Sequence, residues 1–198
     1  MTTLIPTVSD VTFNEEDHTY FYGMQRIPSV SELLRPLTDA YLASIPEGIL
    51  NRKRDLGLAV HRAAELIDTG YELDPDTIDP DVNGYLEAYK RFLVDMRPKW
   101  ASVERTVFDA DRWYAGRLDR SGTVNGQTFV VDIKTAATLS TATAVQLTAY
   151  AEADSDWGSG IAALQLLPKG EYKFVPLQRE PKTWEALLTI HAFKGVTK

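Results

Sequence analysis

The sequence predicts a mixed α/β protein, with a central sheet flanked by helices and a β-hairpin in front of it. Helical periodicity fills residues 46–69 and 82–95, and three β-prone runs follow at 102–108, 113–120 and 128–134. A helix at 141–153, two strands at 161–167 and 172–177, and a helix at 181–192 close the chain. No interior stretch is biased enough to be a linker, and no repeat is visible. The 198 residues are therefore expected to form one domain, with the hairpin at about 11–28, a core at about 46–178 and the last helix at about 181–192.

Each element has a local reason. Residues 11–13 and 19–22 are short β-prone runs around a polar segment, and Gly23 turns the chain toward Arg26, Ile27 and Pro28. Ser29 or Ser31 can cap a short helix ending near Pro36. Pro46 opens the long helix and Gly70 stops it. Leu50, Leu56, Leu58, Val60, Ala63, Ala64 and Ile67 are expected on its buried side, and the small Gly57, Ala59, Ala63 and Ala64 would let it lie close to a sheet. Residues 71–81 hold two prolines and five acidic residues and read as a loop. Tyr85, Leu86, Tyr89, Phe92 and Leu93 share one side of the next helix. Between the second and third β runs, residues 121–127 contain Ser-Gly and Asn-Gly and read as the turn of a hairpin.

Composition excludes several classes. With 44% hydrophobic residues the chain can build a core without staples. It has no cysteine, so disulfides, thiolate zinc and an iron–sulfur cluster are ruled out. No run approaches the roughly 18–20 apolar residues of a membrane span, and the first residues show no secretory signal. A cytoplasmic protein without a membrane partner is expected. The net charge of -7 argues against a broad polyanion-binding surface. Any nucleic-acid contact should be local, through a basic rim drawn from Arg52, Lys53, Arg54, Arg117, Arg120 and Lys134.

The chemistry concentrates in Gly116-Arg117-Leu118-Asp119 and Val130-Val131-Asp132-Ile133-Lys134-Thr135. Asp132 and Lys134 are two apart on a strand and leave by the same face. If the hairpin register brings Asp119 there, two anions and one cation converge. Two aspartates and the Ile133 backbone carbonyl suit the oxygen preference of Mg²⁺ or Mn²⁺. Such an ion polarises a phosphate and lowers the pKa of a bound water, beside which Lys134 can orient or deprotonate that water and offset charge. A metal nearby would lower the lysine's pKa toward that of a general base, and the two aspartates would keep it charged. The plain alternative is a surface ion pair between Asp119 and Lys134. The apolar Val130, Val131 and Ile133 argue for a buried strand, where charges must be paired or hold a metal. His61, with Glu65 one helical turn on, is either a metal ligand or a histidine paired with Glu65. Gln146 and Tyr150 share a helical face and can hold a phosphate or Lys134, or simply decorate the helix. Glu104, on the strand before, is a further site acid or the partner of Arg105 or another base. Trp157 is either a base-stacking platform or an ordinary core or rim aromatic.

Taken in order, these residues resemble the PD-(D/E)xK nuclease superfamily, in its RecB-like and phage-type exonuclease branch. Gly57 to His61 matches a helical G-x-x-x-H, Glu104 a strand acid, Gly116 to Asp119 a G-x-x-D, Asp132 with Lys134 the D-x-K, and Gln146 with Tyr150 a Q-x-x-x-Y. Asp17-His18-Thr19-Tyr20 followed by Ile27-Pro28-Ser29-Val30 resembles the N-terminal hairpin of phage nucleases of this group, so the likeness covers residues 11–155. The resemblance implies a restriction-endonuclease-like core and a DNA exonuclease of recombination or repair, in a phage or bacterium. It implies a metal held by His61, Asp119, Asp132 and the Ile133 carbonyl, with Lys134 catalytic, Glu104 as a further acid, and Gln146, Tyr150, Thr135 and Glu65 in support. DNA is the implied partner, with a homo-oligomer or a recombination protein left open. An endonuclease of the same fold and a silent nucleic-acid-binding module are the alternatives. Leu118 stands where the superfamily's name-giving proline would be, the four-cysteine cluster of some relatives is missing, and no Walker A loop is present.

Overall fold

The computed structural model describes residues 7–15, 17–154 and 160–196; Trp157 lies outside them. Val11–Asn14 (β1) and Thr19–Tyr22 (β2) pair antiparallel, as the β-prone runs require. The expected hairpin is a three-stranded sheet, however, because Gly23, at φ +57°, returns the chain as Gln25–Ile27 (β3) against β2. Tyr20 and Ile27 from this sheet pack on Phe108 and Ala115 of the main sheet.

Ser29 caps Val30–Leu33 (α1), its side chain accepting the Glu32 N–H while Glu32 returns to the Ser29 N–H. The short helix ends as expected just before Pro36, but Pro36 does not end the helical region. It sits in the first turn of another helix, Arg35–Ala43 (α2), where its missing N–H costs nothing. Glu47–Asp68 (α3) and Pro80–Met96 (α4) follow. On α3, Val60, Ala63 and Ala64 are buried as expected, whereas Leu58 is 65% exposed and Ala59 is also outside.

The main sheet has the order β4-β5-β6-β7-β8, formed by Lys99–Asp109, Tyr114–Val124, Gln127–Lys134, Gly160–Leu166 and Tyr172–Leu177. Only β6 and β7 run parallel, and Ala142–Ala153 (α5) makes the crossover that a parallel pair needs. Pro181–Val196 (α6) ends the described chain. The sheet is covered on both faces. Val131 and Ile133 pack with α3 and α4, while Val130 packs with α1, α5 and the fully buried Trp184 of α6.

The β5–β6 turn is shorter than the sequence suggests. Val124 pairs with Gln127, leaving only Asn125 and Gly126, at φ +48° and +79°, as the two-residue turn. Ser121 and Gly122 belong to the strand. At Gly122 a Cβ would sit 2.2 Å from the Lys99 carbonyl oxygen, so the ladder irregularity between Trp100 and Ser102 fits only glycine there. No helix of the described residues is long and apolar enough to cross a membrane.

A Cβ at Gly126 would meet nothing within 4 Å, so its requirement is purely one of backbone conformation. Gly126→Ala is expected to cost about 1–2 kcal/mol, read as a fall of a few degrees in Tm, while Asn125→Gly leaves Tm nearly unchanged. Equal Tm values for wild type and Gly126→Ala would refute the turn.

Candidate active site

The β5–β6 ladder stops at the Arg120–Val131 pair. Immediately beyond it, the Asp119 carboxylate takes over: Oδ2 accepts the Ile133 N–H at 2.6 Å. The Ile133 carbonyl lies 2.9 Å from His61 Nε2, reaching in from α3. Both backbone polar groups of Ile133 are thus held by side chains, on the residue between Asp132 and Lys134. With Nε2 donating to that carbonyl, Nδ1 faces Asp119 at 3.6 Å and Glu104 at 3.8 Å.

Glu104 stands in β4 between the Val103–Arg120 and Arg105–Leu118 pairs, and its backbone is in the left-handed region at φ +47°. Such a conformation is costly for a non-glycine residue and persists only where its surroundings impose it. The Glu104 carboxylate is surrounded by cations. Arg120 NH1 reaches Glu104 Oε1 at 3.0 Å and Arg117 Nε reaches Oε2 at 3.1 Å, while Arg105 turns away to Asp154. Arg120 is fully buried, with Nε 2.6 Å from Asp68 Oδ2 and NH1 donating to the Asp119 carbonyl at 2.7 Å. Tyr89 donates in turn to Asp68. Asp68 and Tyr89 were not among the expected site residues. Asp68 follows His61 by seven residues, two helical turns along one face, which is the signal that marks it.

Arg120 is therefore no part of a basic rim. Arg117 is partly exposed, its guanidinium over the Phe13 ring at 5.8 Å and 3.7 Å from the exposed Glu15. Arg52 is exposed and paired with Asp81 at 2.6 Å. Glu65 lies 2.6 Å from Arg62 and 4.0 Å from Arg117, so its charge is directed to these arginines. Thr135 follows Lys134 out of β6, and its Oγ1 is 3.6 Å from where a Cβ on Gly57 would lie.

On the other side of Ile133, Lys134 Nζ is 2.7 Å from Asp132 Oδ2 and donates to Gln146 Oε1 at 3.0 Å. The contact with Asp132 is an ion pair without hydrogen-bond alignment, so that buried oxygen keeps an unfilled direction. Gln146 Nε2 donates to the Tyr150 hydroxyl at 3.0 Å, which fixes the amide's orientation. Tyr150 lies directly on Gly116, where a Cβ would be 2.5 Å from its Cε1. The glycine of G-x-x-D is the floor on which the tyrosine rests.

The charges are crowded enough to shift one another. Burial drives the Asp119 carboxyl up to about 6, with Asp132 and Glu104 adding to it and His61 and Lys134 opposing. Burial opposes charge on His61, yet Asp119, Glu104 and Asp132 outweigh it and push its pKa up to about 9. Burial likewise opposes the Lys134 ammonium, but Asp132 and Asp119 raise it. Burial pushes Glu104 up, and the stronger pull of His61, Arg120 and Arg117 brings it below the usual carboxylate range.

The donor set fits a divalent cation. His61, Glu104 and Asp119 offer ligand atoms all within 4.8 Å of one another. A metal-binding histidine characteristically fixes its other N–H on a carbonyl, as His61 does with Ile133. One imidazole nitrogen with carboxylate oxygens suits Mn²⁺, and the oxygens suit Mg²⁺. Asp132 stands outside this trio, on the Lys134 side.

No family model matches the chain, and no curated protein matches it by sequence. Among solved structures, the crystal structure of LHK-Exo in complex with dAMP is similar over 85% of this chain and 87% of that one, at 11% identity and a TM-score of 0.48. The crystal structure of SSO0001 is similar over 79% and 81%, at 15% identity and a TM-score of 0.34.

Two outcomes test this geometry. Raised folded-state pKa values on Asp119 and His61 both mean that the folded protein holds protons more tightly than the unfolded one. In EDTA, stability should therefore fall as pH rises, first between about 4 and 6 through Asp119, then between about 6.5 and 9 through His61. Denaturant melts of His61→Gln should lack the second decline. Separately, Gly116→Ala forces Tyr150 to shift and should cost about 1–3 kcal/mol by overpacking; unchanged stability would mean that the ring does not rest there.

Proposed function

We propose that the protein is a divalent-metal-dependent nuclease that hydrolyses DNA phosphodiesters, an exonuclease of the PD-(D/E)xK superfamily in its RecB-like, phage-type branch. Recombination or repair of phage or bacterial DNA is the corresponding role. One observation carries the reading: an acid–x–lysine pair ends a buried strand, and the residue between its members is clamped by Asp119 and His61. A merely structural ion pair needs neither clamp.

His61, Glu104 and Asp119 would hold the cation, with Asp132 beside them. When bound, Mg²⁺ or Mn²⁺ supplies a polarised phosphate and a water of lowered pKa. The protein's own groups do the positioning. Arg120 and Arg117 hold Glu104 in place, so the acid does not collapse onto His61. Lys134, braced by Gln146 and Tyr150, presents an ammonium to the scissile phosphate and offsets the charge that develops on its oxygens. In the metal-free site burial opposes that charge, but Asp132 and Asp119 raise the Lys134 pKa and keep the ammonium charged.

The test is cleavage of 5′- and 3′-labelled linear DNA, single- and double-stranded, beside a covalently closed circle, with Mg²⁺, Mn²⁺ or EDTA. Loss of linear DNA only, dependent on metal and reduced about 100- to 1,000-fold in Lys134→Ala, is the expected outcome. Nicking of the circle would make the protein an endonuclease. Binding without cutting under every condition would leave a nucleic-acid-binding module.

A further inference from the structure

We propose that the cleft between α2 and the loop from β6 to α5 is a nucleobase subsite, holding the base of the nucleotide whose phosphate meets Lys134. The proposal rests on the nuclease reading above.

The cleft measures about 360 Å³, and Lys134 and Gln146 line it. It is therefore continuous with the side of the site where the phosphate would lie. One wall is α2, an amphipathic helix that buries none of its own residues. Leu37 and Tyr41 are four apart on its cleft side, yet they are 43% and 66% exposed. An apolar helical face normally goes to the core; this one is spent on lining an open cleft. Leu139 and Ala142 form part of the facing wall.

Charge decides the occupant. The chain carries 28 acidic residues and a net charge of -7, yet no carboxylate lines the cleft. Lys134 is its single charged group. The complement is an uncharged, weakly polar body attached to an anion. A nucleotide has that form, with a base whose π-face can stack on Tyr41 and a phosphate to meet Lys134. Ser31, Thr38, Thr138, Ser140 and Thr143 supply hydroxyls, which can donate or accept and do not select one base edge over another. The predicted subsite is thus tolerant of base identity, as stacking sites are.

Fluorescence anisotropy with labelled dT12, and with a strand of the same length made of abasic nucleotides, tests it in wild type, Tyr41→Ala and Tyr41→Phe, with Ca²⁺ replacing Mg²⁺. Tyr41 is exposed enough for its replacement to spare the fold, which circular dichroism verifies. Wild type should bind dT12 about tenfold more tightly than the abasic strand. Tyr41→Ala should lose that preference, leaving abasic binding unchanged, and Tyr41→Phe should retain it. Unchanged dT12 binding in Tyr41→Ala, or equal weakening for both strands, would overturn the subsite. If wild type and Tyr41→Ala also cut DNA alike, the nuclease reading survives that loss. Base-dependent binding through Tyr41 by a wild type that cuts nothing would support the subsite and overturn the nuclease reading. Binding of neither strand would remove both.

Discussion

Everything at the site follows from how Ile133 satisfies its backbone. A strand buried on both faces cannot leave an N–H or carbonyl unpaired without a cost of a few kcal/mol. Past the Arg120–Val131 pair, Asp119 and His61 supply what the ladder does not. The two candidate metal ligands thereby also serve the strand, and their positions are fixed by hydrogen bonds. The arrangement also commits the protein to burying like charges near one another, because Asp119 lies with Glu104 about the His61 ring and Asp132 precedes Ile133 on the same strand.

That crowding explains the surrounding cations. Each buried carboxylate needs a positive partner, and three different side chains provide it. Lys134 faces Asp132, Arg120 joins Glu104 to Asp68, and Arg117 caps the outer oxygen of Glu104. The arginines neutralise without competing for a metal, since a guanidinium is always charged and never a ligand. His61 can do both, as a cation when protonated and as a ligand when neutral.

Much of this was legible in the sequence, and the exceptions have physical causes. Helix and strand periodicity located the sheet and its helices, and strand alternation placed Asp132 and Lys134 on one face. Ser121-Gly122 looked like a turn because those residue types favour turns. In the fold the same glycine serves a close backbone approach inside a strand. Helix α2 was hidden because Pro36 marks a first turn as readily as an end. Arg120 looked like a rim residue because its partners Asp68 and Tyr89 come from helices far away in sequence. The left-handed backbone of Glu104 had no sequence signal at all.

The brace formed by Gln146 and Tyr150 bears on how the protein is made. Synthesis delivers His61, Glu104, Asp119 and Lys134 before it delivers the helix that orients the lysine. A growing chain that has emerged only through β6 carries the acidic residues but lacks both the amide that receives the Lys134 ammonium and the ring that rests on Gly116. The working arrangement is thus assembled late in translation, so a ribosome-bound fragment holds the parts of the centre without its final alignment.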